Sequence, residues 1–301
     1  VWGADSAFGR FPRLVADDEG QPLRQIADLV HPRVSSTCWL ASGGQLQCRG
    51  VTEGTFPNGL DLMLTVFTLW QDTLVVDARM VRMDRQHGCA LSTTGSVSCW
   101  GAALANGRAT DSTVPMTISV PGAGVTAIAT APGTSCALTS NRQVWCWGQY
   151  SGNGQTPAQA DRTPVRVTSE DGTPLGADAI FSGPDRLCAL DGGVAHCWGS
   201  LTPALGANRD AMNANYAEPI SASPPMMTTL AMSQQVTCGL ETSGQIRCWG
   251  VGAIGNGTST SVAPGALVRE WAEGPGALVI ADDIGGRSEE RRVGKECRLT
   301  C

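Results

Sequence analysis

The sequence predicts an all-β fold, a β-propeller made of blades of about fifty residues. Three observations predict it. A stretch best preserved as CALSTTGSVSCWG, from Cys89 to Gly101, recurs in five copies. Trp-Gly, or Arg49-Gly50 in its place, returns at Trp2, Arg49, Trp100, Trp147, Trp198 and Trp249, at intervals of 47 to 51 residues. The 301 residues include 37 glycines and 17 prolines, and they lack the 3.6-residue apolar periodicity that helical repeats of this length require.

Counted from Trp-Gly, five units are complete and a sixth runs to Gly286. Each opens with a polar, glycine-rich loop such as GVGAIGNGTSTS, Gly250 to Ser261. A short apolar stretch behind a proline follows, as in TPVRV (Thr163 to Val167) or VPMTI (Val114 to Ile118), then a second apolar stretch such as VTAIAT from Val125. The cysteine hairpin completes about four short strands, the content of one blade. Val1-Trp2-Gly3 enters a repeat already under way, so the chain reads as a piece of a longer propeller.

Spacing argues for the hairpin. Cys89 and Cys99 fall opposite each other if Thr93, Thr94 and Gly95 form a three-residue loop with Gly95 left-handed. Gly44 and Gly244 hold the matching place in two other copies; where Arg142 stands there, Asn141 is expected to take the left-handed conformation. In the fourth copy the cysteines are nine apart instead of ten, and Gly192-Gly193 suits a two-residue turn, so one residue lost from the loop preserves the opposition. Opposed residues lie about 4.5 to 5.5 Å apart at Cα, within disulfide range.

The expected pairs are Cys38 with Cys48, Cys89 with Cys99, Cys136 with Cys146, Cys188 with Cys197, and Cys238 with Cys248. Each closes a short loop, for somewhat under about 3 kcal/mol in the chain-entropy account. A disulfide per unit implies an oxidising setting: extracellular, cell surface or periplasmic. Zinc is the competing use of paired cysteines, but these pairs lack close ligand spacing and would sit in separate blades.

The last fifteen residues, RSEERRVGKECRLTC from Arg287 to Cys301, break the pattern and hold the chain's only lysine, Lys295. They resemble the in-frame translation of a DNA-sequencing adapter, which implies a non-native tail, and the domain expectation is a repeat domain over 1–286 with 287–301 set aside. The net charge of −6 offers no basic face in bulk for a phosphate backbone, so nucleic acid is not an expected partner. No run of eighteen apolar residues is present, so no membrane span is expected.

As an ensemble, the CAL at Cys89, Cys136 and Cys188 and the CWG at Cys99, Cys146, Cys197 and Cys248 resemble the regulator of chromosome condensation repeat family. Upstream the pattern decays: Gly183 keeps the family glycine against Asp84, Ala131 and Ser233, and His87 keeps the family histidine against Thr134, Arg186 and Val236. The resemblance implies a β-propeller, usually seven-bladed. The cysteine-paired blades look most like secreted bacterial members, β-lactamase-inhibitor propellers included. The nuclear branch is a guanine-nucleotide exchange factor that binds nucleosomes, roles whose reducing setting five disulfides argue against. The plant ultraviolet photoreceptor shares the fold, but tryptophans recurring once per blade read better as packing between blades.

Catalysis requires a nucleophile, a base and an orienting group that converge. Of three histidines, His87 occupies the repeat's own slot and His196 immediately precedes Cys197, so both read as structural; His31, before Pro32, carries no reading. No P-loop or dinucleotide fingerprint is present, and no cofactor is expected. Binding is the better supported class, and fold alone never names the ligand. The repeats differ most over Asn58 to Thr73 and Gly206 to Glu218, and exposed aromatic and Arg side chains are typical interface anchors. Trp70, Tyr150, Arg209 and Tyr216 are therefore the candidate partner-binding residues, although Phe67, Leu69 and Trp70 also read as a buried strand. The leading expectation is a non-enzymatic protein-interaction scaffold, with a protein partner of unknown identity. An extracellular enzyme or enzyme inhibitor using loop residues, and an exchange factor, are the alternatives.

Overall fold

The structure, a computed structural model, describes residues 17, 19–20, 25–30, 36–52, 65–84, 86–154, 160–200, 213–219, 226–233, 236–250 and 262–267. Among them, twenty strands form five four-stranded antiparallel sheets, each paired in chain order. The first sheet holds β1 (Ile26–Val30), β2 (Ser36–Ala41), β3 (Leu46–Thr52) and β4 (Thr65–Asp72). The second holds β5 (Ala78–Met83), β6 (His87–Ser92), β7 (Val97–Gly101) and β8 (Ser112–Ile118). The third holds β9 (Val125–Ala131), β10 (Thr134–Thr139), β11 (Val144–Gly148) and β12 (Asp161–Arg166). The fourth holds β13 (Ala179–Ser182), β14 (Arg186–Asp191), β15 (Val194–Ser200) and β16 (Asn213–Pro219). The fifth holds β17 (Met227–Met232), β18 (Val236–Glu241), β19 (Ile246–Gly250) and β20 (Val262–Leu267).

These sheets are the blades of a β-propeller. First strands touch from sheet to sheet, β1 with β5, β5 with β9, β9 with β13 and β13 with β17, and so form the inner wall. Second strands are sandwiched: HGCALS, TSCALT and RLCALD are buried almost throughout, as strands covered on both faces must be. Fourth strands β8 and β12 are largely half-exposed and lie outermost. The sheets are out of phase with units counted from Trp-Gly. The proline-led strand pairs back onto the preceding hairpin, with Cys99 opposite Met116 and Cys146 opposite Val165, so Trp-Gly lies inside a blade.

The register explains the Trp-Gly pair. Every third strand slips against the fourth between the second cysteine and the glycine, and Gly101, Gly148, Gly199 and Gly250 take φ of 94°, 107°, 126° and 129°. A bulge with a left-handed glycine re-aims the side chain beside it. Trp100, Trp147, Trp198 and Trp249 are each 0% exposed. Trp100 packs with Cys38, Leu40 and Cys48 of the first sheet, and Trp147 with Cys89, Leu91 and Cys99 of the second. The tryptophan of one blade thus fills the seam with the blade before it.

The cysteines of each hairpin face each other across the second and third strands, at Cα separations of 4.0 to 4.1 Å, and their sulfurs are bonded. Gly95 at φ 89° closes a three-residue loop, and Gly192 and Gly193, at φ 54° and 88°, form the two-residue turn. At the third hairpin the expectation fails: Arg142, not Asn141, is left-handed, at φ 64°. Its side chain reaches Asp191 at 2.5 Å and Asp178 at 3.3 Å, and its carbonyl accepts from Ala177 N. Contacts with the next blade hold it where glycine stands elsewhere.

Because each meander reverses at every step, first-to-second and third-to-fourth connections share one end of the fold. The cysteine hairpins and the links between sheets share the other. The ends of β3 and β4, paired at Thr52 and Thr65, and of β15 and β16, paired at Ser200 and Asn213, lie at the first end.

Candidate functional site

The loops behind Trp-Gly are wedges. After β7 the chain turns back so that the Ala105 carbonyl accepts both the Trp147 Nε1–H, at 2.8 Å, and the Ser135 hydroxyl, at 2.9 Å, from the third sheet. Asn106, fully buried, holds this loop by donating to Gly101 O and Thr110 O and accepting from Arg108 N. The next loop is built alike: a Cβ on Gly152 would lie 3.1 Å from Trp198 Cδ1, closer than ordinary contact, and Ser151 donates to Asp161 at 2.5 Å. Gly152 has no room for a side chain because Trp198 occupies the space beside it.

A polar relay crosses the same seam. His87 Nδ1 lies 2.8 Å from Asp84 Oδ2, and His87 Nε2 lies 2.8 Å from Ser135 Oγ. Asp84 Oδ1 also accepts from Gln86 N and His87 N, which fixes the inner turn. Burial pushes the Asp84 carboxyl up; the facing His87 charge, its hydrogen bond and the two backbone N–H groups overcome this and hold it below the usual carboxylate range. The order acid, imidazole, hydroxyl copies that of a serine-hydrolase relay. Its setting differs, since His87 and Ser135 are 0% exposed and the Ser135 proton goes to Ala105 O. In this arrangement the relay holds two blades together.

The fourth and fifth sheets carry a counterpart. Arg186, also 0% exposed, donates to Ser233 O at 2.7 Å, Val236 O at 3.2 Å and Thr237 Oγ1 at 2.9 Å, with Asp185 beside it at 2.7 Å. His87 and Arg186 stand two residues before a cysteine, and Ser135 and Thr237 stand one before the cysteine of the next repeat. Reading each repeat alone conceals the pairing; laying the copies side by side exposes it.

Of the candidate anchors, Tyr150 and Tyr216 are brought to one seam. Tyr150 is half-buried, and its N–H donates to Thr134 Oγ1. Its loop joins β16 through an Asn153–Tyr216 bridge and Gly154 N to Asn215 O, with the half-buried Tyr216 ring against Gly154. Trp70 lies in the outermost strand β4 near its hairpin end; its side chain, like Arg209 and His31, lies outside the described residues. No helix among the described residues is long and apolar enough to cross a membrane, and no three His, Cys, Asp or Glu among them group as a metal set.

Residues 125–155, which span β9, β10, β11 and the Tyr150 loop, match the model of the regulator of chromosome condensation (RCC1) repeat. No curated protein matches the chain. Among solved structures it is similar to human WBSCR16, with a TM-score of 0.67 and 15% identity over 88% of this chain and 73% of that one. It is similar to Prp20p of Saccharomyces cerevisiae, described with its binding to Gsp1p and histones, with a TM-score of 0.62 and 16% identity over 78% and 61%. Yeast RCC1 (Prp20) bound to Kap60 gives a TM-score of 0.57 and 14% identity over 72% and 54%. The chain spans less than two thirds of either yeast chain, and such identities speak for fold alone. The chain is thus a β-propeller whose residues 125–155 match the regulator of chromosome condensation repeat.

Proposed function

We propose that this chain is a non-enzymatic protein-interaction scaffold, secreted or envelope-associated in a bacterium, that binds a protein partner through the end of the propeller opposite the cysteine hairpins. The observation that carries the reading is the division of labour between the two ends. One end holds uniform clipped hairpins of three or two loop residues. The other holds Thr65 and Asn213, which fall within the segments where the repeats differ most, Asn58 to Thr73 and Gly206 to Glu218. The acid, imidazole and hydroxyl that come together lie buried at a seam, which supports binding over turnover. Paired cysteines in every sheet support an oxidising compartment. The reading covers 1–286 and leaves 287–301 aside as a non-native tail.

Two loop exchanges test it. Replacing 201–212 by the 102–111 loop alters one end, and shortening the 167–178 link alters the other. The partner captured from secreted proteins by the parent chain is lost with the first exchange and kept with the second. Loss with the second alone contradicts the reading, and a point substitution that abolishes turnover of a substrate defeats it.

A further inference from the structure

The five cysteine bonds are a set of internal controls. Four join residues ten apart and one joins residues nine apart, all at Cα separations of 4.0 to 4.1 Å, so the chain-entropy term is nearly common to them. What differs is the company of the sulfurs. Cys89 Sγ lies 3.3 Å from Ser135 Oγ, the hydroxyl that meets His87 Nε2 at 2.8 Å. Cys188 Sγ touches the Met232 thioether at 3.4 Å. Cys136 and Cys146 lie in a cluster of buried apolar residues with Leu138, Val144 and Leu187.

From this we infer that Cys89–Cys99 is the redox-sensitive clip of the propeller, the bond that a dithiol opens at the mildest reducing ratio. Cleavage begins when a thiolate of the dithiol attacks one sulfur; the S–S bond breaks and its electron pair leaves on the other. The second thiol resolves the mixed disulfide. In sum, two electrons and two protons pass from the dithiol to Cys89 and Cys99, and the dithiol becomes a cyclic disulfide. The freed Cys89 sulfur meets groups already in place. As a thiolate it accepts the Ser135 O–H; as a thiol it donates to Ser135 Oγ. His87, oriented by Asp84 at 2.8 Å, stands behind that hydroxyl in either case. When the Ser135 proton turns away from Ala105 O, that carbonyl keeps the Trp147 N–H at 2.8 Å, so no buried group loses its last partner. Cys136 and Cys146, by contrast, release their sulfurs into that buried apolar cluster, where an unpaired polar group is costly.

Cys89 and Cys99 are 1% and 0% exposed, so exchange proceeds through local opening, and equilibrium is the quantity to read. The oxidised full chain is equilibrated over ratios of reduced to oxidised dithiothreitol, quenched in acid and alkylated, and its five cysteine peptide pairs are quantified by mass spectrometry. One hydrogen bond to the freed sulfur corresponds to half-reduction of Cys89–Cys99 at a ratio about threefold to tenfold lower than for Cys136–Cys146. Ser135→Ala brings the two together, while Ser135→Thr keeps them apart. The inference is overturned if Cys89–Cys99 opens with or after the others, or if Ser135→Ala leaves the gap unchanged. A shift of all five pairs together in Ser135→Ala also contradicts it, because the effect is then general loosening. Free thiols in the starting protein would instead defeat the oxidising-compartment reading.

Discussion

The guanidinium of Arg186 donates to the hydroxyl of Thr237 at 2.9 Å across the seam between the fourth and fifth sheets. A cation at 0% exposure persists only when its N–H groups are paired, and here Ser233 O, Val236 O and Thr237 Oγ1 supply the acceptors. Arg186→Met is expected to cost about 2 to 4 kcal/mol, and Thr237→Val about 1 kcal/mol. The two couple in a double-mutant cycle read by urea unfolding. Additive costs would show that the contact carries nothing.

At the seam between the second and third sheets the determinant is charge. The Asp84 carboxyl is held below its ordinary range, so its contribution is fully present above about pH 3.9 and disappears as pH falls through the lower folded-state value. Asp84→Asn therefore destabilises the protein at pH 7, and the gap from the parent closes below about pH 4. Denaturant midpoints at pH 7, 5 and 3 check this; a gap that stays constant to pH 3 contradicts it.

Trp147 and Trp198 form a matched pair. Both are fully buried at a seam, but Trp147 Nε1 donates to Ala105 O, whereas Trp198 Nε1 has no acceptor among the described residues. Replacement by Phe removes similar volume from each. The loss at Trp147 exceeds that at Trp198 by about 1 kcal/mol, the worth of one hydrogen bond. Thermal melting of the two variants measures it, and the reverse order refutes the wedge role given to Ala105.

Gly148 tests the bulge. At φ 107°, a Cβ there would overlap the Gly133 carbonyl, which itself accepts from Gln149 N. Gly148→Ala is expected to cost about 2 kcal/mol or more, combining a left-handed penalty with backbone displacement. An effect within about 0.5 kcal/mol, the ordinary surface range, rejects the bulge as the reason for Trp-Gly.

How much of this was legible depends on whether the cause is local. The loop at Gly95 and the turn at Gly192-Gly193 follow from residues within one hairpin, and spacing alone locates them. The phase of the blades was not legible. The stretch behind the proline has equal apolar character whether it pairs forward or back, and the Cys99–Met116 register decides. Arg142 escapes a local reading for a related reason: its left-handed turn is held by Asp178 and Asp191 of the next blade, which no local rule includes. His87 was legible as the occupant of a repeat slot. Its partner Ser135, 48 positions on, could have been found by aligning the repeats on their cysteines.

One covalent clip lies within each sheet, which leaves the seams to tryptophan wedges and polar clasps. A non-reducing peptide map of the protein purified from an oxidising compartment tests this most directly. The predicted result is five linked peptide pairs, Cys38 with Cys48, Cys89 with Cys99, Cys136 with Cys146, Cys188 with Cys197 and Cys238 with Cys248. Free thiols at these ten positions, or links that join cysteines of different sheets, would contradict it.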